Sequence, residues 1–411
     1  MKLWAVMIGA LLIGVLCAGC QPNSNDGDST DDDSGDDDID DDVDDDVDDD
    51  LDDDADDDID DDIDDDVDDD DLDDDVDDDV DDDIDDDIDD DVDDDVDDDI
   101  DDDAVDDDSM HPDVFAVGDK GTILHFDGSS WSTMESGTST WLDGVWGTSP
   151  TDVFAVGTKF VSGKPVAGVI LHYDGVSWST MDGGPSPFVQ KIWGTSHSDV
   201  FAVGTVILHY DGSSWSIMDT GTSNKLYGVW GASSTDVFAV GANDSRSQAV
   251  LMHYDGSSWS TMKDETDQYW FNSVWGTSHS DVFVVGGSWV EPGWSFGSVL
   301  HYDGYSWTGM ELYLYLFPPL AGVWGSSHSD VFAVGDDEIC HYDGGRFWSV
   351  MERWQPADDQ LASVWGTSHS DVFVVGVNGT ILHYDGSVWS PMDSGTSESL
   401  GSVWGTLQPN E

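Results

Sequence analysis

The chain has 411 residues with 94 acidic against 10 basic side chains, a formal charge of −84. Residues 1–108 carry 60 acidic residues and one basic, and residues 109–411 carry 34 and nine. Excess negative charge in both parts excludes nucleic acid as a partner, and three cysteines, of which Cys340 stands alone in the C-terminal part, exclude a disulfide framework.

The chain opens with Lys2 and an apolar run from Leu3 to Leu16, ending in Ala18-Gly19-Cys20. This is the pattern of a secretory signal, too short to be a membrane span of about 20 residues. The ending resembles a bacterial lipoprotein lipobox, which implies lipidation of Cys20 as the first mature residue. Cys17 stands where such boxes usually carry Leu. Gln21 after the cysteine is similar to lipoproteins passed on to an outer membrane. Residues 1–20 are therefore expected to be a signal peptide, and the protein to be lipid-anchored in the cell envelope, at the outer membrane, or extracellular.

Residues 21–108 form the second segment. From Asp31 to Asp108 the chain is almost wholly Asp, punctuated by one aliphatic residue in four, as at Ile39, Val43, Val47 and Leu51, with one slip of register at Leu72. On an α-helix that spacing moves each aliphatic side chain about 40° around the axis, so no apolar face forms, and Asp is a poor helix former. Neighbouring carboxylates lie within a Debye length of about 8–10 Å and repel. The expectation is a disordered polyanion that reaches at most about 260–280 Å at about 3.3–3.6 Å per residue. Dense carboxylates without a glycine turn or fixed ligand order bind Ca²⁺ only weakly and collectively, and no other cofactor is expected. The segment resembles the acidic repeat stalks of bacterial surface proteins, which implies a spacer.

From residue 109 a unit recurs that approximates VWGTSHSDVFAVG followed by ILHYDGSSWSTM. Seven DVF triplets begin at Asp113, Asp152, Asp199, Asp236, Asp281, Asp330 and Asp371, and seven Trp-Gly pairs run from Trp146 to Trp404. The spacing of about 43 residues, with four short strand-like pieces per unit, predicts a four-stranded propeller blade. Val-Phe-Ala-Val, apolar on both faces, suits a strand sandwiched between neighbouring blades. The first unit lacks a VWG strand before Asp113 and the chain ends on a surplus one, Ser402-Val403-Trp404-Gly405. Residues 109–411 are thus expected to be an all-β, seven-bladed β-propeller of four-stranded blades, closed by the C-terminal strand. The units resemble bacterial propellers of the BNR/Asp-box-like and photosystem-assembly-factor-like kind, and uncharacterised repeat lipoproteins carrying VWG...DVFAVG...HYDG. That resemblance implies the fold and no particular activity.

Histidines recur before the Asp-Gly turn, from His125 to His383, and again in SHSD at His197, His279, His328 and His369. One set per blade reads as scaffold hydrogen bonding, and the His, Asp, Ser and Trp of each unit resemble the polar tetrad that braces WD-type blades. No metal site is assigned. A sialidase needs clustered arginines to hold a carboxylate, yet the unit array has only Arg246, Arg346 and Arg353. No HExxH motif appears, no catalytic residue is named and no enzyme activity is expected.

Length variation falls almost entirely in the connections between strands 2 and 3 and between strands 4 and 1, which share one rim of an up-and-down blade. Rigid scaffolds place function on such variable connections. Trp141, Phe160, Tyr269, Trp270 and Trp289, with Trp294, Tyr313, Tyr315 and Trp354, are the aromatics there that break the repeat. They are the candidate ligand-binding face, suited to stacking on sugars or anchoring a protein. The reading is a monomeric envelope binding or scaffold module that recognises an extracellular glycan or surface protein. The alternative is a passive structural component of the surface or matrix with weak calcium binding by the stalk, and a lesser one is a glycan-active hydrolase.

Overall fold

The computed structural model describes residues 110–182, 188–263, 268–290, 294–312, 318–355 and 360–409; the expected signal peptide with Cys20 and the expected stalk at 21–108 lie outside them. Seven antiparallel sheets account for the seven units. Blade 2 is representative: Trp141–Ser149, Asp152–Val161, Lys164–Tyr173 and Trp178–Met181 pair in chain order. Blades 3 to 7 begin at Val189, Lys225, Tyr269, Gly322 and Leu361. Blade 6 has one addition, Glu311–Leu312, which pairs parallel with its outer strand Phe347–Arg353.

Blade 1 is made from both ends of the array. Leu400–Pro409 pairs antiparallel with Met110–Gly118 in nine positions, from Met110 opposite Pro409 to Gly118 opposite Leu400, with one bulge beside Gly118. The C-terminal strand therefore supplies the missing first strand, as the surplus VWG strand predicts.

The first strands of neighbouring blades touch one another all around the ring, which makes the VWG strand the innermost. Each Trp-Gly pair is half of a seam between blades. The edge of the Trp146 indole lies where a Cβ on Gly194 would come within 2.8 Å of it, and the relation repeats from Trp193 to Gly231 and onward to Trp404 against Gly147. Only glycine fits under the ring. Seven larger core clusters among the described residues are each shared by two adjacent blades: Phe115, Val117 and Ile123 of blade 1 pack with Leu142, Val153 and Leu171 of blade 2, and blade 7 packs on blade 1 through Phe373, Val375 and Leu400. Burial on both faces is why the second strands read Val-Phe-Ala-Val rather than alternating.

Candidate functional site: two rims and an axial channel

The antiparallel order puts the strand 1–2 and 3–4 turns on one rim and the 2–3 and 4–1 connections on the other. On the constant rim, the aspartate of six of the seven Asp-Gly turns accepts hydrogen bonds at one carboxylate oxygen from the backbone N–H groups two and three residues on, and Asp343 accepts from the first of these alone. Where a serine follows the glycine, its hydroxyl donates as well. These bonds, the serine hydroxyl's first, hold Asp127, Asp211, Asp255 and Asp385 down to about 2.

The aspartate that opens each second strand is the centre of a second network. Asp152 Oδ1 accepts from His172 Nε2 of its own blade at 2.7 Å and from His197 Nδ1 of blade 3 at 2.8 Å, while Thr148 donates to Oδ2. Burial works to raise the Asp152 pKa and is outweighed by these three hydrogen bonds, which leave it lowered. The pair of histidines recurs at Asp236, Asp281 and Asp330, and the hydroxyl donor at Asp281 and Asp330. It departs from the expected tetrad in one member. The strand-4 indoles stay out of the network: the Nε1 atoms of Trp131, Trp178, Trp215, Trp307 and Trp389 are buried without partners, and those of Trp259 and Trp348 point to methionine sulfurs. These rings lie against the tyrosine or phenylalanine of strand 3, and a histidine from the next blade takes the fourth place.

At three seams no second histidine reaches the aspartate. Pro150 and Ser234 stand in its place opposite Asp113 and Asp199, and His111, beside the closing strand, turns toward the Pro112 carbonyl. At the Pro150 seam a cavity of ≈ 580 Å³ opens, lined by His111, Asp113 and Asp127 among others.

On the variable rim, the insertions of blades 2 and 5 are extended hairpins rather than loops. In blade 2, strand pairing runs out to Val161 opposite Lys164, closed by Ser162 and Gly163, both at positive φ, the geometry of a tight primed turn. Thr158 is fully buried; its hydroxyl donates to the Val189 carbonyl and accepts from the Val189 N–H, tying the hairpin base to blade 3. Trp141, 49% exposed, lies 5.2 Å from Phe160 between ring centroids, and Val161 and Val166 extend this apolar patch.

A second patch joins blades 4 and 5. Trp289, 40% exposed, donates its indole N–H to the Arg246 carbonyl at 2.9 Å, and its backbone N–H to Gln268. Tyr269 is also exposed. Arg246 and Gln268 both hold positive φ, and the Arg246 guanidinium sits over the Tyr227 ring at 5.4 Å. Trp270 corrects the expectation: at 3% exposed it is the core of a small cluster with Tyr227, Ala242 and Phe188, beneath Trp289 at 5.2 Å. A ten-residue inner strand carries it over the top of the blade 4 hairpin, where alternation turns it inward. Trp354 is half-buried against the blade 6–7 core. Tyr313, Tyr315 and the Trp294 side chain lie outside the described residues.

The channel between the inner strands is polar on one side. Asp143, Gln190, Tyr227 and Asn272 occupy the third position before the Trp of blades 2 to 5, whereas blades 6, 7 and 1 have Ala321, Ala362 and Gly401 there. Lys191 crosses this space and donates to the Asp143 carbonyl at 2.7 Å and the Gly401 carbonyl at 3.1 Å, so one ammonium links three blades. Burial depresses Lys191 to about 8 against the opposing pull of Asp143, and burial pushes Asp143 up to about 6 against the pull of Lys191. Tyr227 and Lys191 were not legible in the connections, where the repeat breaks most visibly. The signal lay inside the strands, where a large side chain replaces a small one.

No protein-family model matches the chain, and no curated protein matches it. Among solved structures the chain is similar to YCF48 bound to a D1 peptide, with TM-score 0.50 and 15% identity over 67% of this chain and 88% of that one. It is similar also to the WD40 β-propeller domain of Doa1, with TM-score 0.50 and 12% identity over 69% and 89%. At such identities the likeness is one of fold, and the fold is a seven-bladed β-propeller of four-stranded antiparallel blades.

Proposed function

We propose that the propeller is a non-enzymatic recognition head whose variable rim binds a surface protein or an extracellular glycan. In this reading the Asp-rich stalk holds the head away from a membrane to which lipidated Cys20 anchors it. The observation that carries the reading is the asymmetry between rims. The constant rim spends its polar groups on bracing turns and seams, whereas the variable rim carries Trp141 with Phe160 and Trp289 with Tyr269 exposed on hydrogen-bonded supports. Exposed aromatics held rigid by a scaffold lose little entropy on binding and suit stacking or anchoring contacts. A protein partner is in keeping with the YCF48 structure, in which that propeller holds a D1 peptide.

The test is binding of the purified chain to arrays of surface polysaccharides and of peptides, with and without Ca²⁺, followed by fluorescence titration. Saturable binding that is lost in Trp289→Ala or Trp141→Ala supports the reading. A blank on both arrays, with calcium-dependent compaction of the full chain, would establish the passive surface component instead.

A further inference from the structure

We propose that four of the seven blade seams are binding sites for a divalent transition ion of the zinc class, each built from two histidines and one aspartate. The sets are Asp152 with His172 and His197, Asp236 with His253 and His279, Asp281 with His301 and His328, and Asp330 with His341 and His369. In each, one ligand atom per residue lies within 4.8 Å of the others. This inference is independent of what the variable rim binds.

The donor set points to the ion. Two neutral imidazole nitrogens and one carboxylate oxygen suit Zn²⁺ and its neighbours, whereas Ca²⁺ takes six to eight oxygens. The three groups come from two adjacent blades, and the SHSD histidine of each set is about half exposed, with side-chain values from 50% to 53%. An ion therefore has a path in, and a solvent-facing fourth position remains, as in three-ligand zinc sites.

The fit needs a small movement. Both ring nitrogens now sit 2.6 to 2.8 Å from the same carboxylate oxygen, as donors. Zinc–ligand bonds of about 2.0–2.2 Å in tetrahedral array separate ligand atoms by about 3.3 Å. Each imidazole has to draw back from the carboxylate oxygen by about half an ångström while the two ring nitrogens, which lie within 4.8 Å of one another, settle at the same spacing, a rearrangement made by side-chain rotation. The proton that each ring nitrogen directs at the carboxylate leaves that nitrogen as the ion binds, by tautomer exchange to the ring's other nitrogen or by release to solvent, so a lone pair faces the ion. Thr148, Thr277 and Ser326 already hold the second oxygen of Asp152, Asp281 and Asp330, the kind of outer support that fixes a ligating carboxylate. Ala232 stands at that place before Asp236, which makes this the weakest of the four.

Internal controls are built in. Asp199 has His209 and Thr195 but faces Ser234 instead of a second histidine, so it supplies two ligands and binds no ion.

The experiment titrates the untagged full-length chain with Co²⁺ and follows its d–d absorption, with Zn²⁺ as competitor. Histidine-containing tetrahedral sites give intense bands, whereas stalk carboxylates give only the weak bands of six oxygens, so the stalk does not mask the result. The expected outcome is intense absorption that saturates at four equivalents and is displaced by Zn²⁺. Each of His197→Gln, His328→Gln and His369→Gln removes about a quarter of it. Ser234→His adds a fifth equivalent at the Asp199 seam, a gain that no folding defect can imitate. Weak bands alone, or intense bands that neither the histidine replacements nor Ser234→His change, would overturn the proposal.

Discussion

Asp143→Asn in the axial channel is expected to stabilise the propeller, and by an amount that depends on pH. Burial lifts the Asp143 pKa from 3.8 in the unfolded chain to about 6 in the fold. Because the folded value is the higher one, the group's favourable contribution is complete below about pH 4 and is lost as pH rises through about 6. Two pKa units at about 1.4 kcal/mol each set an upper bound of roughly 3 kcal/mol for the cost of carrying this charge at neutral pH. Lys191 offsets part of that cost, and without the carboxylate its own desolvation is felt in full. The variant's advantage over the parent should therefore grow by about 1–2 kcal/mol between pH 4.5 and pH 7.5. Urea denaturation of the full chain, followed by tryptophan fluorescence at both pH values, reads this as a shift in midpoint at constant slope. Parallel pH profiles for parent and variant, or a variant less stable at pH 7.5, would refute the assignment of Asp143 to a desolvated channel.

One truncation and three substitutions test the architecture. Removing residues from Ser399 onward deprives Met110–Gly118 of its partner strand and exposes the seat of Leu400 and Val403, a loss of at least about 5 kcal/mol that should abolish cooperative thermal unfolding. Trp270→Ala empties a buried site and should cost about 3–5 kcal/mol by denaturant titration, whereas Trp289→Ala, at an exposed position, should cost under about 2 kcal/mol. Gly231→Ala drives a methyl group to 2.5 Å from the Trp193 ring and should destabilise by at least about 1–3 kcal/mol, read as a lower melting temperature.

The fold was legible because its unit repeats: Trp-Gly, Asp-Val-Phe and the Asp-Gly turn each recur once in every one of seven units, and each recurrence multiplies a weak local signal. The closure at Leu400–Pro409 was legible from arithmetic, one VWG strand missing at the start and one left over at the end. Periodicity is mute about radius, so the innermost strand had to be read from contacts between neighbouring first strands. It is also mute wherever one blade departs from the rest. Trp270 looks like Trp289 as a non-repeat aromatic, and only the length of its strand decides that one ring is covered and the other open. The second histidine of each aspartate network was visible in SHSD, but its partner lies 39 to 47 residues away in the preceding blade.

The relation of each Trp to the glycine of the next blade has a consequence for how the ring comes together. It is a head-to-tail contact: every blade offers a different surface to the neighbour before it and the neighbour after it. Like a heterologous subunit interface, such a contact has no internal stop and ends only when rotation brings the last surface back to the first. Until residues 400–409 are in place, a growing array presents an uncapped Trp365 at one end and an empty Gly147 at the other, complementary to those of any second unfinished chain. Completion of the circle within one molecule then competes with polymerisation between molecules, and the outcome is set by concentration and by how soon the closing strand arrives.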